Sequence, residues 1–335
     1  MPLKVKVAGK TDKGLVRTGN EDYLHLDEEN NVYAVCDGMG GHQAGEIASM
    51  LAADTIQTVF SHFNKPLLDD PKLDLGKPLP ASGELLVKAI RLANRAVYNA
   101  ALEDPSRAGM GTTVVALAFE SDFISVAHVG DSRAYCLDEK ALLPLTKDHS
   151  WIQEIQDSEN ISQNEASSFV GKNVITRALG VRHNVEVDYR LVKIKPGDIF
   201  ILCSDGLCGY ADDEEIFEVA EKAGRDIEKI TELLVQMANN RGGQDNVTII
   251  AIEVVDVFKS PLPDVDVYTL PAENEELLRV EDDWLARMKT FKDNHPEKKK
   301  KGAKEKENGG SKLTLWLIFI VFIIIAALII YFTRK

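Results

Sequence analysis

Short runs of β-branched and aromatic residues, bounded by turns, fill most of the first 257 positions. They predict strands over 23–26, 31–36, 112–120, 123–129, 132–137, 186–194, 199–204 and 246–255. Three segments carry the longer helical period instead. Glu84 to Glu103 sets Leu85, Ala89, Leu92, Ala96 and Ala100 on one face, and Ile227 to Asn240 does the same with Ile230, Leu233, Leu234 and Met237. Ala44 to Phe63 reads as a third helix, rich in small residues. Strands joined by turns as short as Glu120-Ser121-Asp122 and Gly130-Asp131 must pair antiparallel, so the class is α+β with helices packed outside the sheets. Residues 64–83 and 147–173 hold neither period and are expected as loops. The second is long for a compact domain, as a flap over a site would be.

Beyond Lys259 the pattern changes. A proline-bearing, acidic stretch leads into a run with seven lysines between Lys298 and Lys312, and Leu313 to Phe332 is apolar and uncharged. About 20 residues at 1.5 Å rise cross a bilayer core, and Trp316 and Tyr331 stand near the two ends, where amphipathic rings favour the interface. The expected organisation is therefore a folded domain over 1–257, a linker over 258–312, a single C-terminal transmembrane helix over 313–332 and a tail of 333–335. The lysine run places the folded domain on the cytoplasmic face of the cell membrane, held by one span. Removing the +7 of residues 298–335 from the chain's −14 leaves −21 on residues 1–297, which disfavours nucleic acid as a partner. Cys36, Cys136, Cys203 and Cys208 lack zinc-ligand spacing and fit thiols in a reducing compartment.

Four aspartates stand at the ends of the apolar runs. Val32–Cys36 runs into Asp37 and Ile199–Ser204 into Asp205, while Asp22 and Asp245 each open a strand. Carboxylates gathered at one end of a sheet repel one another and lose hydration, so they require a compensating cation. An all-oxygen set selects a hard divalent ion, Mg²⁺ or Mn²⁺, over zinc or copper. Two such ions about 3.5–4 Å apart lower the pKa of a shared water and present hydroxide to a phosphorus centre. Gly38 lets the backbone approach, and its carbonyl is a candidate ligand. Arg17 has two readings, a phosphate clamp through its planar fork or a surface arginine.

Taken in order, Arg17–Asp22, Asp37–His42, Gly111–Thr113, Val129–Arg133, Thr176–Gly180, Ser204–Leu207 and Gln244–Asn246 resemble the motifs of the metal-dependent protein phosphatases (protein phosphatase 2C) in their bacterial form, over about residues 5–256. The resemblance implies an α-β-β-α sandwich of two antiparallel sheets flanked by helices, with a dinuclear Mn²⁺ or Mg²⁺ site that hydrolyses phosphoserine and phosphothreonine in proteins. It implies that Asp37 bridges the ions, Gly38 offers its carbonyl, Asp205 and Asp245 complete one ion, and Asp22 acts through metal-bound water. Asp131 matches a residue that joins the Asp205 counterpart at a third, weaker metal; a hairpin aspartate is the alternative. Met39 stands where eukaryotic members carry a histidine proposed to protonate the leaving oxygen, which leaves His42 or a metal-bound water as the candidate general acid. Phe169–Lys172 departs from a His-Pro-X-Arg stretch frequent in bacterial relatives, inside the expected flap.

The function expected is a membrane-anchored serine/threonine phosphatase, monomeric, acting on phosphorylated proteins against a cognate protein kinase. Three alternatives accompany it: an inactive phosphatase-like scaffold, which the retention of every matched ligand disfavours; a phosphatase of a phosphorylated transcriptional regulator or of small phosphoesters; and a two-metal nuclease, which the acidic charge disfavours. His128 reads as a satisfied core histidine. Arg133 and Arg177 read as braces of the site.

Overall fold

The computed structural model describes residues 3–41, 43–137, 140–159, 174–259 and 267–295. Its strands are β1 Lys4–Asp12, β2 Asp22–Asp27, β3 Val32–Met39, β4 Gly111–Thr112, β5 Val114–Glu120, β6 Phe123–Val129, β7 Arg133–Leu137, β8 Leu142–Pro144, β9 Val187–Lys193, β10 Ile199–Cys203, β11 Val247–Asp256 and β12 Val267–Leu270. Its helices are α1 Ala44–Thr58, α2 Asn64–Leu68, α3 Ala81–Glu103, α4 Trp151–Glu159, α5 Asp205–Cys208, α6 Asp213–Lys222, α7 Ile227–Asn240 and α8 Glu275–Asn294. Two sheets form, ordered β1-β11-β10-β7-β8 and β12-β9-β6-β5-β3-β2, with β4 paired to β3 in the second. All the strand pairs are antiparallel, as the short turns require.

Strand periodicity explains the layers. Alternate residues of β3 point to opposite faces, so Tyr33 and Val35 meet Phe200, Leu202, Ile250 and Ile252 between the sheets, while Val32, Ala34 and Cys36 face α1 and α3. On the other sheet Ile199, Ile201 and Cys203 of β10 pack with Ile216 of α6 and with Ile230 and Leu234 of α7. Both faces of the central strands are buried, which is why they read as unbroken apolar runs rather than alternations. The result is the expected α-β-β-α sandwich.

Helix ends follow local chemistry. Asp212 and Glu215 make a reciprocal capping box at the start of α6, and the Asp226 side chain accepts from Glu228 N and Lys229 N at the start of α7. β1 is absent from the strands expected above, although Lys4-Val5-Lys6-Val7 alternates with the strand period and Lys4 and Lys6 take the more exposed positions. It is an edge strand, where charge is favoured because it blocks pairing with another chain.

One compact unit runs to Met288, beyond the boundary expected at 257; a second begins at Lys289 and is described only to His295. The expected linker over 258–312 is thus corrected in part. β12 extends the second sheet beside β9, and Trp284 and Met288 of α8 join the core that includes the apolar face of α3. Trp284 Nε1 also donates to Asp70 Oδ2 at 2.9 Å. The cause lies on α3, where Lys88, Arg91 and Arg95 are buried beside the apolar face, so the helix needs a second, acidic cover. Among the described residues no helix is long and apolar enough to cross a membrane. Residues 313–332, read above as the span, lie outside the described residues, as do 160–173 of the expected flap; the rest of that flap includes α4.

Phe200 lies fully buried between the sheets, edge-on to Phe119 at 5.8 Å, which is in turn edge-on to Tyr33. Phe200→Ala removes the middle of this layer and is expected to lower the unfolding free energy by about 3–5 kcal/mol, read from urea unfolding. A loss below about 1 kcal/mol would show that the sheets do not depend on this contact.

Candidate metal centre

Register brings the first pair of carboxylates together. β2 and β3 are paired so that Asp22 stands directly opposite Asp37. From the other sheet, β10 ends through Ser204 at Asp205, the first residue of α5, and Asp245 lies just before β11. Asp131 sits in the turn between β6 and β7. These five carboxyls share one electrostatic environment. Burial pushes Asp37 well above the ordinary carboxylate range, and Asp22, Asp205, Asp131 and Asp245 each add to the shift. Burial raises Asp22 to about 7 despite a hydrogen bond from Ser204 Oγ at 2.7 Å. Asp131 also rises to about 7, through burial and then the charge of Asp205, and Asp205 rises through burial and then Asp245.

Such a cluster is costly without a counter-charge. Asp22 Oδ1 and Asp131 Oδ1 are buried and have no hydrogen-bond partner, although Asp22 Oδ2 accepts from Ser204 Oγ. Orphaned carboxylate oxygens, an oxygen-only donor set and shared repulsion fit a hard divalent ion. Gly38 completes the cradle. Its N–H donates to Glu21 O at 3.1 Å, and any Cβ there would collide with the Gly45 carbonyl, so only glycine lets β3 pass this close to α1.

Neighbouring backbone holds the aspartates in place. The Asp37 carbonyl accepts from Thr113 N at 2.8 Å and Thr112 Oγ1 at 2.9 Å, and Asp37 N donates to Thr113 Oγ1 at 3.1 Å. Asn246 Oδ1 accepts from Glu21 N while its Nδ2 donates to Lys13 O and Gly19 O, tying the loop that carries Arg17 to the strand that follows Asp245. Arg17 is half-exposed, and its Nη2 donates to Asp245 Oδ2 at 2.7 Å. The structure therefore gathers Arg17, Asp22, Asp37, Gly38, Asp131, Asp205 and Asp245 in one place. His42 lies outside the described residues.

The supporting roles of Ser204, Asn246, Thr112 and Thr113 were not anticipated, although each lies within a recognised motif. Sequence can flag such residues but not their partners, which come from distant strands. Arg133 braces as expected, donating to both oxygens of Asp148 at 2.8 and 2.7 Å. His128 is buried with Nε2 2.7 Å from Lys147 O, and its ring stacks on His149 at 4.6 Å.

His128, His149 and Asp188 also have potential ligand atoms within 4.8 Å of one another. Arg177 already occupies this corner. Its Nη1 is 2.9 Å from Asp188 Oδ1 and 3.1 Å from His149 Nε2, and His149 Nδ1 accepts from Gly130 N. A fixed cation and satisfied rings make it a brace between β6, β9 and the Thr176–Gly180 segment.

The fold and carboxylate centre together define a two-sheet α-β-β-α sandwich whose strand ends gather an oxygen-only donor set suited to hard divalent ions. A family model for protein phosphatase 2C matches residues 16–246, and the chain belongs to that family. The serine/threonine protein phosphatase PstP of Mycobacterium tuberculosis is 36% identical over 260 residues, 76% of this chain and 46% of that protein. The chain thus spans about half the length of the first curated relatives it matches. The serine/threonine phosphatase stp of Listeria monocytogenes is 34% identical over 247 residues, 73% of this chain and 94% of that one. A crystal structure of the PstP catalytic domain in complex with two manganese ions superposes with a TM-score of 0.63 at 34% identity, covering 76% of this chain and 100% of that domain.

Raised carboxyls make the metal-free protein sensitive to pH. Asp22 and Asp131 bind protons more tightly folded than unfolded, so their contribution to stability is present below about pH 4 and is lost as pH rises towards about 7. The chelated protein is expected to melt at progressively lower temperature across that window, and Mn²⁺ at about 100 times its Kd to restore about 2.7 kcal/mol. Asp37→Asn is expected to raise the melting temperature of the chelated protein and abolish the response to Mn²⁺. Identical metal responses in the two proteins would show that the cluster is not the cation site.

Proposed function

We propose that this chain is a metal-dependent protein serine/threonine phosphatase held at the cytoplasmic face of the cell membrane by residues 313–332, where it opposes a protein kinase. The convergence of five carboxylates from two sheets, two of them with orphaned buried oxygens, carries the enzymatic part of this reading. The printed names of the relatives and the two manganese ions of PstP support it. Asp37, Asp205, Asp245 and the Gly38 carbonyl would hold Mn²⁺ or Mg²⁺, with Asp22 and Asp131 as outer or third-ion carboxylates. When bound, the ions supply charge neutralisation and a water of lowered pKa.

The chain's own residues do the remainder. Arg17 is poised at the mouth, where its fork presents donors to phosphate oxygens once Asp245 is committed to a cation. Ser204 donates to Asp22 and Thr112 to the Asp37 carbonyl, so neither aspartate has to reorganise when a phosphoryl group arrives. His42 is the candidate proton donor to the leaving serine or threonine oxygen, since Met39 has no titratable group. The span rests on the uncharged run Leu313–Phe332 and the lysines before it.

The full chain in detergent is expected to hydrolyse an aryl phosphate and a phosphothreonine peptide with Mn²⁺ or Mg²⁺ and not with chelator. Asp37→Asn and Asp205→Asn should each lose about 100-fold or more in kcat. Unchanged turnover in both would end the enzymatic reading. Arg17→Ala is expected to raise KM for both substrates while leaving Mn²⁺ binding intact, and an unaltered KM would return Arg17 to the surface. Deleting Leu313–Lys335 should move the protein to the soluble fraction, and retention at the membrane would refute the anchor.

A further inference from the structure

The matched family region ends at residue 246, yet the chain folds back onto the catalytic domain twenty residues later. β12 pairs with β9 so that Thr269 stands opposite Asp188, the partner of Arg177. Arg91 Nη2 of α3 donates to Pro271 O at 2.5 Å. Glu273, with its side chain fully buried, accepts from Val185 N at 2.8 Å through Oε2 and lies 3.4 Å from Arg91 Nε through Oε1, while its carbonyl accepts from Asn184 Nδ2 at 3.0 Å. Asp282 of α8 takes Arg95 Nη2 on both oxygens at 2.7 and 2.6 Å, and Arg95 Nη1 donates to His183 O at 3.2 Å.

Three of these bonds, at Val185 N, Asn184 Nδ2 and the His183 carbonyl, fall on one irregular loop, residues 180–185, and the Arg91–Glu273 and Arg95–Asp282 pairs hold the side chains that make two of them. Asn94 of α3 adds to them, accepting from Gly180 N and donating to the Arg182 carbonyl. Gly180 has φ +83°, and a Cβ there would run into Val97, so the loop turns at a position only glycine fills. With no regular structure of its own, its backbone depends on these side chains for hydrogen bonds.

At its start the loop touches the metal centre. Leu179 exchanges backbone hydrogen bonds with Thr112, whose hydroxyl donates to the Asp37 carbonyl, and Val181 lies against Gly111 beside the Met39 side chain. Its other side forms the wall of a polar cavity of about 420 Å³, lined by Arg177, Val181, Arg182, Asn184, Glu186 and, from the C-terminal segment, Ala272.

We propose that residues 267–288 are a positioning element for substrate: Glu273 and Asp282 fix the 180–185 loop, and with it the groove beside the metal centre that receives the polypeptide flanking a phosphorylated serine or threonine. The inference rests on the phosphatase reading and deepens it. The element acts on the protein part of a substrate, which extends past the metal centre into the groove, whereas an aryl phosphate ends at the centre itself.

The test uses the full chain in detergent with saturating Mn²⁺, comparing a phosphothreonine peptide with 4-nitrophenyl phosphate. Glu273→Ala is expected to raise KM for the peptide about tenfold, the loss of one hydrogen bond to a charged group, and to leave kcat/KM for the aryl phosphate within about twofold of wild type. Glu273→Gln keeps an acceptor for Val185 N and should recover most of the peptide affinity. Asp282→Asn, at a partly exposed position, keeps the question open to measurement if Glu273→Ala does not fold, and its peptide KM should rise as well. Equal losses on both substrates, or no change on either, in the variants that fold would overturn the proposal while leaving the phosphatase reading intact. A wild-type chain inactive on both substrates would remove that reading and the proposal with it.

Discussion

Repulsion among five aspartates is the constraint around which the molecule is built. Each alone would be an ordinary carboxylate at a strand end. Gathered at the site, Asp22, Asp37, Asp131 and Asp205 are pushed upward in pKa first by burial and then by neighbouring carboxylates, and two of them keep oxygens without donors, a state that a cation or a proton relieves. The sandwich makes the gathering possible, because two sheets facing each other bring β2 and β3 from one side and β10 and β11 from the other to a common edge. A single sheet would spread the same residues along a line.

That constraint sets the demands on the surroundings. The inter-sheet layer of Tyr33, Phe119, Phe200 and Ile252 fixes the distance between the sheets, and hence between Asp37 and Asp205. Hydrogen bonds from Thr112, Thr113, Ser204 and Asn246 hold the local backbone against the repulsion. The Arg177–His149–Asp188 brace and the C-terminal β12–α8 segment work one layer further out, on the loop that borders the centre. Stability spent on buried charge at the site is thus balanced by apolar packing on three layers.

Much of this was readable in the linear chain. Strands β6 and β11 and helix α7 fall almost where periodicity puts them, since long apolar runs bounded by turn residues have few alternative structures. Misses occurred where a local signal was overruled or absent. β1 carries edge lysines, β12 has only four residues, and α8 falls within the stretch expected as a linker over 258–312 until its partner on α3 is known. The burial of Arg91 and Arg95 on α3 has no local sequence signal, because their partners Glu273 and Asp282 lie some 180 to 190 positions away.

The sequence by itself determined the chemistry: which residue types carry it, that they require hard divalent ions, and that glycine must accompany Asp37. Those follow from local composition, because a carboxylate's charge and a glycine's freedom need no partner to be recognised. Tertiary structure alone decided which carboxylates meet, that Asp131 joins them with an orphaned oxygen, that His128 and His149 are braces, and that the chain past residue 257 returns to the catalytic domain. Each of these depends on contacts between residues distant in sequence, and such contacts leave no periodic signature for a linear reading to detect.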